Sequence, residues 1–191
     1  MTIVTPLKPR MVLAMLLLAM VCTPMSAQAE AGGAADFDWE IGLWSTHAQV
    51  RAPLATDAPW AEFDGTSDVR ALSNERANTI DLALSNTDGG RIEGVSLRLF
   101  NPQTGQWNIN FANMRDGTLT APVYGGFRDG RGVFYGQDTV DGRVVMVRFV
   151  ISDITADSAR FVQSYSADGG RTWIDNWIAT DTRRAGPIMR R

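Results

Sequence analysis

The chain is poor in the residues that most often do chemistry. Its 191 residues include one Cys, one His and 18 Lys or Arg against 21 Asp or Glu. The lone Cys22 lies in an N-terminal segment with the marks of a removable signal, so the remainder is expected to have neither disulfide nor thiol. A single imidazole argues against the multi-ligand sites of zinc, copper and haem. No Asp-x-Asp-x-Asp-Gly loop offers calcium a cage. No metal or cofactor is therefore expected. A Ser-His-Asp triad would have to draw on His47, and there is no Gly-x-Ser-x-Gly elbow. Catalytic residues stay unassigned: carboxylates are scattered, and Asp88, Asp129, Asp141 and Asp168 stand in turns where turn chemistry already explains them. The net charge of −3 argues against a nucleic-acid partner. Long amphipathic helices, fixed-period repeats and low-complexity blocks are also missing.

The N-terminus is patterned differently from the rest. Lys8 and Arg10 precede an apolar run from Met11 to Val21, Pro24 breaks it, and Ala27-Gln28-Ala29 matches a small-residue cleavage site. Residues 1–29 are therefore expected to be a signal peptide, with the mature chain periplasmic or secreted. The apolar run is too short to span a bilayer, so no integral membrane anchor is expected. Lipidation at Cys22 fits poorly, because Met20 and Val21 are not the small residues such processing needs. Cleavage near Ala29 removes two positive charges and moves the net charge from −3 to −5. Residues 30–35 suit a flexible lead-in, 36–184 a single domain, and 185–191 a basic tail. Arg183, Arg184, Arg190 and Arg191 are expected to be solvated.

What is abundant is turn punctuation. Asp88-Gly89-Gly90, Thr104-Gly105, Asp129-Gly130, Asp141-Gly142 and Asp168-Gly169-Gly170 supply the positive-φ positions of tight hairpins. Runs rich in Val, Ile, Phe, Trp and Tyr lie between them. Strands are predicted at 43–51, 60–71, 77–85, 91–100, 106–115, 121–128, 132–138, 143–152, 158–166 and 172–181, after a short helical turn over 38–42. Alternation is clear in places. Trp107, Ile109 and Phe111 share a face opposite Asn108, Asn110 and Met114. Phe161, Gln163 and Tyr165 oppose Arg160, Val162 and Ser164. His47 falls opposite Trp44, Thr46, Ala48 and Val50, which mark the core face. A meander of about ten strands closes most readily into an antiparallel up-and-down barrel.

Two motifs carry resemblances. Gly42-Leu43-Trp44, within Phe37–Trp44, resembles the Gly-x-Trp opening of lipocalin-like barrels, which implies a Trp plugging the closed end. The wider set adds Trp60–Ser67, Leu99–Trp107, Gly126–Tyr135 and Ser166–Trp173. Together they resemble a bacterial secreted family of calycin-like barrels with no assigned activity, over nearly the whole mature chain. The resemblance implies a fold and no catalytic residue. Ser166-x-Asp168-x-Gly170-x-Thr172-Trp173 is also similar to the Asp-box of sialidases, where the Asp caps a hairpin and the Trp packs beneath. A propeller would repeat the box, and one copy implies a stabilised hairpin. Ten-stranded haem-binding barrels ligate iron through a late His, which this chain lacks.

Arg148 is the sole charge in the apolar run Val144–Ile151. A buried guanidinium needs an anion or several acceptors. If its face is the lumen, Arg148 could anchor a ligand carboxylate or phosphate, with Gln163, Tyr165, Asn108, Asn110, Tyr135 and Asn176 as neighbours. Otherwise it pairs with Asp138 or Asp175, or snorkels outward. The favoured expectation is a non-catalytic exported barrel for a small amphipathic or apolar ligand. The alternatives are a lumenal lyase, isomerase or hydratase, and an interaction module whose lumen is filled by Trp39, Trp44, Trp107, Trp173 and Trp177.

Overall fold

The computed structural model describes residues 32–72 and 75–185. The expected signal peptide and Cys22 lie outside the described residues, as do residues 186–191 of the expected tail. Of the lead-in expected at 30–35, residues 32–35 are described. They form a turn in which the Gly33 N–H donates to Asp36 Oδ1 at 2.8 Å. The Gly33 carbonyl accepts from Trp107 Nε1 at 3.1 Å.

A 3-10 turn, Asp38–Glu40, leads into eleven strands: β1 Gly42–Val50, β2 Ala61–Ala71, β3 Ala77–Ser85, β4 Arg91–Asn101, β5 Gln106–Asn113, β6 Thr118–Leu119, β7 Val123–Arg128, β8 Arg131–Val140, β9 Arg143–Ser152, β10 Ser158–Ser166 and β11 Ile174–Arg183. Ten of them form a closed antiparallel barrel, each pairing with its neighbours in sequence and β11 returning to β1. The two-residue β6 is an extra flap on β5, with Ala112 opposite Leu119. The predicted ten strands match within about two residues. The difference at β5 has a local cause: Asp116-Gly117 is a further turn, with Gly117 at φ 69° and Asp116 Oδ1 accepting from the Thr118 N–H and hydroxyl. The hairpins at Asp129-Gly130 and Asp141-Gly142 hold positive φ at both central residues, the geometry that matches strand twist.

The face assignments hold. Trp44, Thr46 and Ala48 are buried inside β1, while His47 is exposed with Nδ1 2.9 Å from Asp64 Oδ1. Gly42 takes φ 129°, and a Cβ there would meet the Arg183 guanidinium at 3.0 Å, so the glycine of the Gly-x-Trp motif has a stated need. Trp44 sits at the closed end, its Nε1 donating to the Glu40 carbonyl at 2.6 Å.

One half of the lumen is filled. Phe37, just before the 3-10 turn, meets Trp107 and Phe127 edge-on at 4.9 Å and stacks on Phe134 at 6.0 Å. These pack with Ile109, Val123, Val145, Val147, Ile151 and Tyr165 into the main core. A smaller cluster of Ala48, Leu84 and Ala179 lines the opposite wall. Trp173 is not among the lumen fillers, since it lies beneath the β10–β11 hairpin on the outer surface. Arg183, expected as part of a solvated tail, is instead tied down inside the closed end. Its guanidinium lies 4.1 Å over the Trp44 ring and donates to the carbonyls of Ile41, Trp39 and Ala156.

Candidate functional site

Between the two clusters the barrel keeps a cavity of about 120 Å³. Its walls are apolar: Ile80 and Leu82 of β3, Phe111 of β5, Phe149 of β9, Phe161 of β10 and Trp177 of β11. Its floor, toward the closed end, is polar. Glu40 arrives from the 3-10 turn, Thr46 from β1, Ser67 from β2, Arg98 from β4 and Asp181 from β11.

Two hydrogen-bonded sets make up that floor. Arg98 is only 5% exposed and forks onto Glu40, Nη2 reaching Oε1 at 3.2 Å while Nη1 donates to Oε2. Its guanidinium also lies 4.1 Å over the Phe37 ring. The fork pairs the two charges through both Nη groups and leaves the buried Arg98 Nε without a partner among the described residues. The second set runs Ser67, Thr46, Asp181. The Thr46 hydroxyl lies 2.7 Å from Ser67 Oγ and donates to Asp181 Oδ1 at 2.5 Å. With Thr46 donating to the carboxylate, Ser67 must donate to Thr46. Among the described residues nothing donates to the second Asp181 oxygen. Arg98 is committed to Glu40, so Asp181 has no counter-charge of its own.

Burial, with the Glu40 charge adding, pushes the Asp181 carboxyl up to about 6, against the opposing pulls of Thr46 and Arg98. A raised acid binds its proton more tightly folded than unfolded. Asp181 therefore contributes its full stability below about pH 4, and that contribution is lost as pH rises toward and past 6, by up to about 3 kcal/mol. Urea midpoints measured across this range should show a descending limb in the wild type that Asp181→Asn flattens. An unchanged slope in the variant would remove Asp181 as its source.

The residues singled out from sequence divide between two sides of the wall. Gln163, Tyr165 and Asn176 meet inside, toward the open end. Gln163 Nε2 donates to Asn176 Oδ1 at 3.1 Å and to the Tyr165 hydroxyl at 3.3 Å, and Tyr165 donates to Asp138 Oδ2 at 2.9 Å. Burial, and the Asp138 charge after it, push the Tyr165 hydroxyl well above the usual range, so it serves as a donor, not a base. Asn176 is the extra residue of a bulge between Gln163 and Ser164 opposite β11, which re-aims it.

Arg148, Tyr135, Asn108 and Asn110 are outside. In β9 the inward face is Val145, Val147, Phe149 and Ile151, so Arg148 points out, and the conditional placing of its head in the lumen fails. It stacks 4.4 Å over Trp173 and donates to Ser164 Oγ at 3.3 Å, which in turn donates to Asp175 Oδ1 at 2.7 Å. Asp175 is thus reached through Ser164, and Asp138 binds Tyr165 instead. Tyr135 is 46% exposed and 5.9 Å from Trp173. Asn110 donates to the Thr120 carbonyl at 3.2 Å.

The Asp-box folds as a capped hairpin. Asp168 Oδ1 accepts from Ser166 Oγ and from the Arg171 and Thr172 N–H groups, while Oδ2 accepts from the Thr172 hydroxyl at 2.7 Å. These donors, the Thr172 N–H foremost, hold the Asp168 carboxyl well below its usual range. Ser166 Oγ accepts from the Gly170 N–H at 2.8 Å, and Trp173 Nε1 donates to the Gly170 carbonyl at 3.0 Å.

The floor escaped sequence reasoning, although a signal was present. Thr46 is polar on a face otherwise read as core, and Arg98 shares the inward face of β4 with Ile92, Gly94, Ser96 and Phe100. Asp181 shares the parity of Ala179.

By architecture the protein is an up-and-down β-barrel with a partly filled lumen. No family model matches the chain, and no curated protein does. Among solved structures, the S-type phycobiliprotein lyase CPES from Guillardia theta is similar in fold, with a TM-score of 0.55 at 12% identity over 78% of this chain and 91% of that one. A de novo fluorescence-activating barrel aligns at TM-score 0.43 and 12% identity, over 79% and 98%. A further barrel, EF1p2_mFAP2b bound to DFHBI, aligns at 0.45 and 11%, over the same shares.

Proposed function

We propose that the chain is an exported binding barrel that holds a small amphipathic or apolar ligand in its lumen. The cavity supports this most directly. It is the part of the lumen that the aromatic core leaves unfilled, with apolar walls above a buried polar floor. Such a site binds by burying an apolar body while a few placed polar groups fix its orientation. At about 120 Å³ it approaches the roughly 150 Å³ engineered cavity known to accept benzene. The lumenal ligand is thus ring-sized. The export half of the reading rests on the n-region, apolar run and Ala27–Ala29 site at the N-terminus.

Native mass spectrometry of protein released gently from the periplasm tests both halves. The expected result is the mature mass plus an adduct lost on denaturation. Ser96→Phe, which fills the cavity, should abolish the adduct, and Arg148→Met should keep it. A bare mass that persists after incubation with periplasmic extract would overturn the binding reading in favour of a packed-lumen module. An unprocessed chain would overturn export.

Asp181 favours a second reading, lumenal acid–base catalysis of the lyase, isomerase or hydratase type. A buried carboxyl raised to about 6 inside a cavity is poised to hold and release a proton near neutrality. A ligand that leaves the wild type chemically altered, and Asp181→Asn unaltered, would establish it.

A further inference from the structure

The balance of charge at the floor points to the chemical class of the occupant. Two carboxylates, Glu40 of the 3-10 turn and Asp181 of β11, line the floor together with a single guanidinium, Arg98 of β4, which is forked onto Glu40. The other nearby cations are turned away. Arg183 spends its donors on the carbonyls of Ile41, Trp39 and Ala156 below the plug. Arg160 borders the cavity, but it alternates with the inward-facing Phe161 on β10, so its head projects outward. With Arg98 forked onto Glu40, the floor is left one negative charge in excess, and that charge is Asp181. Thr46 orients the carboxyl through Oδ1, and among the described residues nothing donates to Oδ2. The aromatic side chains of Phe111, Phe149, Phe161 and Trp177 line the space above.

We propose that the lumen takes a small organic cation, an aryl-alkyl or short alkyl amine whose apolar body fills the cavity and whose ammonium pairs with Asp181. This rests on the binding-barrel reading and sharpens it. An anionic ligand is disfavoured at the floor by the same bookkeeping, because among the described residues the one guanidinium that reaches the cavity floor is already paired with Glu40. The amine completes a charge-assisted hydrogen bond at Oδ2, where the described residues supply none, and an aromatic lining suits a cation with an apolar body. The ion pair also brings no net charge into the low-dielectric interior, which a lone cation or lone carboxylate would.

Isothermal titration with three ligands of matched size tests this: benzylamine, benzyl alcohol and benzoate. At pH 7.5 the wild type should bind benzylamine at least about tenfold more tightly than either of the others. Asp181→Asn should erase that preference while leaving benzyl alcohol binding unchanged, which shows the lumen intact. In the wild type, lowering the pH to 5 should weaken benzylamine and spare benzyl alcohol, because the carboxyl then carries its proton; benzylamine itself stays charged throughout. Benzyl alcohol or benzoate binding as well as benzylamine would overturn the amine assignment and leave the lumenal site standing. A benzylamine preference that survives in Asp181→Asn would overturn Asp181 as its anchor. No heat and no saturable signal from any of the three would overturn the lumenal reading itself.

Discussion

Replacing Glu40 with Gln should destabilise the barrel by about 3–5 kcal/mol, the largest loss expected from any single polar change in the chain. Gln keeps the shape and one acceptor but removes the charge that faces Arg98. The guanidinium cannot escape to water, because Arg98 is 5% exposed and its stem is fixed on the inward face of β4. The cost is that of a desolvated cation left without its partner, not the net worth of the pair. The double variant Glu40→Gln with Arg98→Met should therefore recover most of the loss. It replaces the charge with an apolar side chain of similar length over the Phe37 ring. Urea denaturation of the two variants checks both halves. A loss below about 1 kcal/mol for the single change would mean that water reaches the floor and screens the pair.

Phe37→Ala should cost a similar amount, about 3–5 kcal/mol, by a different route. Phe37 belongs to no strand, yet it is 1% exposed and touches three rings of the main core, Trp107, Phe127 and Phe134. Truncation leaves a void that rigid strands around it cannot collapse to fill. It also strips the ring from beneath the Arg98 guanidinium, so the two changes share a partner and should not be additive. A double-mutant cycle of Phe37→Ala and Glu40→Gln should show coupling of about 0.5–3 kcal/mol. Phe37→Leu should lose less than Phe37→Ala, because it refills part of the void. Equal losses would mean that the edge-on ring contacts, and not the filled volume, hold the plug.

Much of this was legible in the order of residues. Asp-Gly and Gly-Gly pairs need positive φ, few other residues tolerate it, and so the hairpins of the meander announce themselves. Between hairpins the period of two marks each strand's faces. Trp107, Ile109 and Phe111 point in together for the same reason that Asn108 and Asn110 do not. Even the side taken by Arg148 was available, since Val145, Val147, Phe149 and Ile151 form an unbroken apolar face on the alternate residues. Arg148 has the opposite parity and so lies on the outer face.

The candidate site was far less legible, because no short stretch of chain contains it. Glu40, Thr46, Ser67, Arg98 and Asp181 come from five elements and span most of the sequence. Only barrel closure, with β11 registered so that Asp181 faces Thr46, brings them within hydrogen-bonding reach. Local periodicity is a property of neighbours in sequence, so by itself it determined the strands, their turns and which side chains face inward. Which inward side chains meet is a matter of register and closure around the whole barrel. So too are the pairing of Arg98 with Glu40, the isolation of Asp181 and the space the aromatic plug leaves open. Those were decided by the tertiary structure alone, because burial and the lack of a counter-charge are properties of three-dimensional neighbours.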